Sequence, residues 1–418
     1  MTTLLAIGDL HLGRPSVALP SDLGQRSDEL GPEVAWKRCV DLAIDRRVDG
    51  VLLAGDLVDR SRDFFVAYGQ LKKGLERLLD AGIPVIAVAG NHDTHVLPRL
   101  AGELPGLNVL GAGGQWQRYQ LDDVIVLGWS FHESRVRHSP LKSLKLKPEK
   151  GPVVGLLHCD RDRSGSVHAP VSSAELEQAP VDAWLLGHIH QPDQLDVDRP
   201  IGYLGSATAL RASETGARGP WLFHIGGGAI AADHVALAPL HYEALDIDCS
   251  DLPGPEALSE RLIGVCRETV SRLQEREMPP TALGLRVTLS GRHDDAAGMA
   301  DEAGRLAEET RHWQEAETAC FVQSMSCAVL PRIDLRRLAS QDDPCALLAR
   351  RLLALEDPEC EEYARLVELG RRTLVPVVRS REFAALGQDL DDSAVAAWLE
   401  RAGRIALARL LGQRRATR

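Results

Sequence analysis

Five short clusters in the first half of the chain gather residue types that bind metal ions: Gly8-Asp9-Leu10-His11, Gly55-Asp56, Gly90-Asn91-His92-Asp93, His158 and Gly187-His188-Ile189-His190. Asp-x-His and His-x-His put two ligand-type side chains at i and i+2, where an extended chain points them to the same side. A preceding glycine, as at positions 8, 55, 90 and 187, lets the backbone turn sharply and approach an ion closely. Carboxylate, imidazole and amide oxygen form a borderline-hard donor set that suits Mn²⁺, Fe²⁺ or Zn²⁺ better than Ca²⁺ or Mg²⁺. Asp9, His11, Asp56, Asn91, His158, His188 and His190 are more ligands than one ion needs, and a carboxylate can bridge two. Two divalent ions about 3.5–4 Å apart generate a hydroxide at neutral pH and clamp the oxygens of a phosphoryl group. One such cluster alone is readily structural: a lone histidine after a strand is usually packed or solvated, and Gly, Asn and Asp all form turns. Five in succession, each after an apolar run, point to a dinuclear centre.

The hydrophobic pattern supplies the elements that must position these residues. LLAIGD, GVLLAGD, PVIAVAGNHD, VIVLG, PVVGLLH and AWLLGHIH are apolar runs that end at a polar cluster. Helical patterns lie between them, over 32–46 and over 65–81, the second with Leu71, Leu75, Leu78 and Leu79 on one face. This alternation predicts a layered α/β sandwich with strands buried on both faces. The chemistry then sits past the carboxyl ends of the strands. Trp129, Trp184 and Trp221 read as core. Near residue 243 the texture changes. ALGLRVTLS alternates, and 255–273 carries a helical stripe of Leu258, Leu262, Val265, Cys266 and Leu273. From 331 onward the chain reads as charged helices. Asp343-Pro344 is a cap with proline at the first helical position, followed by a stripe of Cys345, Leu348, Leu352 and Leu355. A last helix carries Val395, Trp398, Leu399, Ala402 and Ile405. The expected division is a catalytic domain over 1–242, a small α+β domain over 243–331 and a helical region over 332–418.

With 418 residues the chain is too long for one ordinary core. Hydrophobic residues make up 44% of it, and no run of 18 uncharged apolar residues occurs, so a soluble protein is expected. The N-terminus lacks a basic leader, and cleavage there would remove the first cluster, so no signal peptide is expected. Eight scattered cysteines without a CxxC pair read as reduced thiols, which places the protein in the cytoplasm. The net charge of −12 argues against holding nucleic acid by bulk electrostatics alone. Bound cations would offset part of it locally. The stretch 135–150 is the exception: Arg135, Arg137, Lys142, Lys145, Lys147 and Lys150 stand there with little acid. It is a solvated loop by default and the best candidate for contact with a phosphate backbone.

GDLH, GD, GNHD, H and GHIH in this order resemble the calcineurin-like metallophosphoesterases. RLLDAGIPVIAVAGNHD, VDAWLLGHIHQP and YLGSATALRASETGARG resemble, more narrowly, the bacterial DNA repair exonucleases of the SbcD and YhaO type. The resemblance is specific over 1–225 and general beyond. It implies that Asp9, His11, Asp56 and His190 hold one metal, and that Asp56, Asn91, His158 and His188 hold the other, with Asp56 bridging. It also implies that a metal-activated hydroxide attacks a phosphodiester while His92 acts as acid, with Asp93 orienting its ring. It implies two divalent ions, foremost Mn²⁺, and DNA as substrate. The segment after the catalytic domain would be a DNA-capping domain. The helical tail would dock on an SbcC-like ABC ATPase, and the protein would form a homodimer. One departure stands out: relatives from archaea and eukaryotes have histidine three residues after the bridging Asp, where this chain has Asp59.

Two other readings stay open. A phosphoprotein or small-molecule phosphoesterase, cyclic nucleotides included, could use the same fold, and GDLVDRS resembles the GDxxDRG of Ser/Thr phosphatases. Against it stand GNHD in place of GNHE and the long C-terminal extension. A non-catalytic scaffold is disfavoured because every ligand is present. His95, His132, His138 and His168 read as loop or surface histidines, and Cys159 as a small packing residue.

Overall fold

The computed structural model describes residues 1–15, 19–20, 23, 27–146, 151–309, 312–378 and 391–416. The chain forms two compact units, one of Met1–Leu245, Ile263–Arg286 and Thr310–Ser324, the other of Asp246–Leu262, Val287–Glu309 and Met325–Arg418.

The first unit is built on two sheets. Strands β1 (Thr2–Ile7), β2 (Gly50–Leu53), β3 (Val85–Ala87) and β4 (Leu107–Val109) run parallel. Strands β10 (Trp221–Gly226) and β11 (Ala229–His234) extend that sheet antiparallel on the β1 side. The second sheet has the order β5 (Gln117–Leu121), β6 (Val124–Trp129), β7 (Val153–His158), β8 (Ala183–Gly187), β9 (Ile201–Tyr203), all parallel except β5.

Strand alternation sorts the side chains into layers. Leu4, Ala6, Leu52, Ala54, Ile86 and Val88 face Val126, Val154, Leu156, Ala183 and Leu185, so the sheets share one core. Their neighbours Leu5, Ile7, Val51, Leu53, Val85 and Ala87 face the helices α1 (Pro32–Asp45), α2 (Phe64–Asp80) and α3 (Val96–Glu103). On the far side Ile125, Leu127, Trp129, Val153, Leu157, Trp184 and Leu186 pack with Leu176 of α4 (Ser173–Gln178). Burial on both faces is why these strands read as continuous apolar runs. Leu71, Leu75 and Leu78 of α2 are fully buried, each worth about 1.5–3 kcal/mol against exposure. Leu79 departs from the expected stripe: it is 40% exposed. It sits at the edge of the apolar face and covers Gly106 rather than the core.

Strands β12 (Leu240–Asp248), β13 (Ala282–Ser290), β15 (Trp313–Glu315) and β16 (Thr318–Cys327) form a further sheet, order β12-β13-β16-β15. Within the first unit, Tyr242 and Phe321 meet edge-to-face at 6.0 Å. Arg38 of α1 donates to the Leu237 and Pro279 carbonyls at 2.9 and 3.2 Å and to Thr281 Oγ1 at 3.1 Å. Leu258, Leu262, Cys266, Val270 and Leu273 of α5 (Leu258–Gln274) are buried.

The second unit holds a short parallel pair, β14 (Arg292–His293) with β17 (Leu330–Pro331), and the helices α6 (Ala296–Glu309), α7 (Leu335–Ala339), α8 (Pro344–Ala354), α9 (Glu361–Val378) and α10 (Asp392–Ala416). The Asp343 carboxylate accepts from Ala346 N at 2.8 Å, with Pro344 at the first helical position, the arrangement its sequence predicts. Cys345 and Leu352 are buried with Leu335, Ala349 and Leu407, so this stripe has its partners inside the unit. The expected face of α10 is corrected. Trp398 and Ile405 are 44% and 39% exposed, while Val395 and Leu407 are buried. Gly403 receives Leu352, which turns the row 395, 399, 403, 407 inward. Among the described residues no helix is long and apolar enough to cross a membrane.

Candidate metal centre

All five clusters lie at carboxyl ends of parallel strands: Asp9 and His11 after β1, Asp56 after β2, Asn91 and His92 after β3, His158 closing β7, His188 and His190 after β8. The turns are tight. His11, Asp56 and His188 take φ of +48°, +50° and +105°, a region that costs a non-glycine residue about 1–2 kcal/mol. A Cβ on Gly90 would stand 2.1 Å from Asp56 Oδ1, and one on Gly187 2.0 Å from the Ala54 carbonyl. Only glycine lets these loops close on each other.

The side chains converge in two adjoining groups. Asp9, His11 and His190 form one, and Asp56, His158 and His188 the other. Asn91 Oδ1 lies 3.1 Å from His158 Nε2 and belongs with the second. Asp56 Oδ2 stands between them, 3.3 Å from His158 Nε2 and 3.9 Å from His11 Nε2. Its Oδ1 accepts from His92 N at 2.9 Å. Asp9 accepts from His188 N at 3.1 Å on both oxygens, tying the first cluster to the last.

The residues fit a pair of cations on two observations. His11 Nε2 is buried without a hydrogen-bond partner, which is unfavourable unless a cation takes the lone pair. His158 Nε2 and His188 Nδ1 lie 3.3 Å apart, about the separation of two ligands at 2.0–2.1 Å around one tetrahedral ion. The second nitrogen of each ring is held from behind. His11 Nδ1 is 3.0 Å from Asp59 Oδ1, His158 Nδ1 is 3.0 Å from the Ala54 carbonyl, and His190 Nδ1 is 2.8 Å from Glu214 Oε1. His188 Nε2 faces Asp160 Oδ1 at 3.3 Å. Such partners fix the tautomer and ring orientation of metal-binding histidines.

The charged groups of the site act strongly on one another. Burial alone would raise the Asp56 carboxyl, but the charge and hydrogen bond of His158 outweigh it and hold the group well below the usual range. Burial likewise opposes a charge on His158, and Asp56 more than offsets it, lifting that imidazole to about 9. Burial, then His158, pushes His188 down to about 3. The hydrogen bond from His11 keeps Asp59 at about 2.

His92 is exposed beside this centre, its ring 5.1 Å from that of His11. Its Nδ1 lies 2.9 Å from the Asp59 carbonyl. The orienting role expected of Asp93 is therefore corrected. Asp93 is buried, and its oxygens accept from Leu57 N at 2.7 Å, Gly90 N at 2.8 Å and Val58 N at 3.4 Å. It staples the two ligand loops together instead of touching the ring. Lys142 and Lys145 are exposed, and Lys147 and Lys150 lie outside the described residues. His95, His132 and His138 are exposed and join no ligand group among the described residues. His168 comes nearer than expected, 33% exposed and grouped with Asp160 and His188. Cys159 is fully buried, and burial pushes its thiol up, as a packing residue requires. The sequence reading missed Asp59, Asp160 and Glu214 as partners of the candidate ligand histidines. Glu214 lies in YLGSATALRASETGARG, a segment singled out for resemblance and not for chemistry.

A sequence model of the calcineurin-like phosphoesterases matches residues 2–192. The chain is similar to the uncharacterized metallophosphoesterase YhaO of Bacillus subtilis, 25% identical over 341 residues, covering 77% of this chain and 79% of that one. It is 30% identical over 290 residues to the DNA double-strand break repair protein Mre11 of Haloferax volcanii, covering 63% of this chain and 58% of that one. For the protein of that name from Sulfurisphaera tokodaii the identity is 30% over 228 residues, 51% of this chain and 56% of that one. The chain thus spans little more than half the length of these two relatives. With its ligand-type residues gathered where the strands of both sheets end, the chain carries a calcineurin-like metallophosphoesterase domain over residues 2–192.

Proposed function

We propose that the chain is a two-metal phosphodiesterase that cleaves DNA, a nuclease of the SbcD type. The observation that carries this reading is the convergence of seven ligand-type side chains on two seats that share Asp56 Oδ2, beside an exposed histidine. Asp9, His11, Asp56 and His190 would hold one ion, and Asp56, Asn91, His158 and His188 the other. Two divalent ions, with Mn²⁺ the first choice, supply Lewis-acid polarisation of the phosphoryl oxygens and a nucleophile at neutral pH. The chain's own residues orient and move protons. His92 donates its Nδ1–H to the Asp59 carbonyl, so Nε2 is the atom that carries a proton to the leaving oxygen. The similarity to proteins named for double-strand break repair supports DNA as substrate. On this reading 243–331 caps the DNA, 332–418 docks on an SbcC-like ABC ATPase, and the chain acts as a homodimer in the cytoplasm.

A phosphoprotein or small-molecule phosphoesterase is the second reading. It is favoured by Arg60, 60% exposed and 3.2 Å from Asp59 Oδ2, which stands where GDxxDRG has its arginine. Hydrolysis in Mn²⁺ of single-stranded, blunt and hairpin DNA separates the two when run against a phosphopeptide and a cyclic nucleotide. The nuclease reading expects DNA cleavage that EDTA abolishes. Cleavage of the small substrates with DNA left intact overturns it.

A further inference from the structure

The matched family segment ends at residue 192, yet His190 is held in place by residues that follow it. Glu214 Oε1 lies 2.8 Å from His190 Nδ1, and its Oε2 accepts from Leu210 N at 2.7 Å. Arg218 is 1% exposed, and its Nη1 donates to the His190 carbonyl. Its Nη2 donates to Gln191 Oε1 at 2.8 Å and to the Thr215 carbonyl at 3.2 Å. Ser206 N also donates to the His190 carbonyl, at 2.9 Å. The side chain and the main chain of one residue are thus gripped from a single short segment. That segment is tied to His11 as well: Arg14 donates to the Leu210 carbonyl at 3.2 Å and to Asp59 Oδ1 at 3.4 Å, the oxygen that meets His11 Nδ1.

We infer that Glu214 is a positioning residue of the metal centre, which sets the ring of His190 for its ion while Arg218 sets the backbone beneath it. Burying a guanidinium is unfavourable unless it is hydrogen-bonded and charge-balanced. Its place under His190, rather than on the surface, follows if it fixes that loop. Because Glu214 bonds only one of the two histidines after β8, its loss falls on one seat. The seat of Asn91, His158 and His188 has no bond to Glu214 and keeps its ion. The inference rests on the proposal that His190 binds a metal.

Mn²⁺ titration of the full chain by calorimetry and EPR tests it, comparing wild type with Glu214→Gln, Arg218→Met and His190→Ala. Melting curves in EDTA check that each variant folds. A glutamine cannot accept from both His190 and Leu210 N, since one end of its amide is a donor. Glu214→Gln should weaken one of two Mn²⁺ ions by about 10–100-fold. At intermediate loading it should replace the spectrum of a coupled pair with that of isolated Mn²⁺. Arg218→Met should move the same ion in the same direction, and it carries the test if Glu214→Gln does not fold. Two normal Mn²⁺ ions in Glu214→Gln, with one lost in His190→Ala, overturn the inference and leave the metal reading standing. Two normal ions in His190→Ala overturn the metal reading of that residue and the inference with it.

Discussion

On the side of Asp9, His11 and His190, both imidazoles lean on carboxylates, Asp59 at 3.0 Å and Glu214 at 2.8 Å. On the side of Asn91, His158 and His188, the support is weaker. His158 leans on the Ala54 carbonyl at 3.0 Å, His188 meets Asp160 at 3.3 Å, and Asn91 brings a neutral amide. A carboxylate behind an imidazole raises its basicity and its grip on a metal. If each group holds an ion as proposed, with Asp56 shared, the two should therefore differ in affinity. The difference comes from residues behind the ligands, a layer that ligand motifs do not describe.

The change that should erase the comparison altogether is Asp56→Ala. Its carboxylate faces both seats, so both ions should leave together and hydrolysis should fall below detection, as metal analysis after desalting and a nuclease assay would show. A variant that keeps one tightly bound ion would show that Asp56 serves one seat alone. His92→Ala should leave both seats filled and DNA binding intact while turnover drops by about 10²–10⁴, the usual scale for a general acid. Loss of an ion in that variant would make His92 a ligand. The two groups are set apart by pairing Asp59→Asn with Asp160→Asn. Loss of the Asp59 carboxylate should weaken Mn²⁺ at the His11 seat by about 10–100-fold. Loss of Asp160, the longer contact, should cost its seat less, and equal losses would show that the carboxylates behind the rings do not set the difference. The smallest effect on the centre belongs to the basic stretch. Neutralising Lys142, Lys145, Lys147 and Lys150 should leave both ions and the cleavage of a small chromogenic diester unchanged. The same change should weaken DNA binding, with a salt slope shallower by up to about 3–4. An unchanged slope would mark the stretch as solvated surface.

Much of the centre was legible because its residues follow apolar strands and come in i, i+2 pairs. Backbone alternation turns that spacing into shared direction, and parallel strands put all the ends on one side. What stayed hidden lacks any such period. Asp59, Asp160 and Glu214 reach their histidines across 48, 28 and 24 positions of sequence. They are joined by loops whose course only the fold decides. Asp93 shows the reverse error: proximity in sequence to His92 suggested a partner, but its side chain turns inward to backbone amides. Leu79, Trp398 and Ile405 show that a helical stripe gives the apolar face but not its rotation, which Gly106 and Gly403 helped to set.

The left-handed backbone at His11, Asp56 and His188 has a consequence for how the centre fills. If these three residues bind metal as proposed, the fold holds their loops against the backbone's own preference. Filling the centre should then need little reshaping, and its rate should follow how readily the hydrated ion sheds water. Mg²⁺, which dehydrates reluctantly, would load slowly for a reason that lies in the ion and not in the chain.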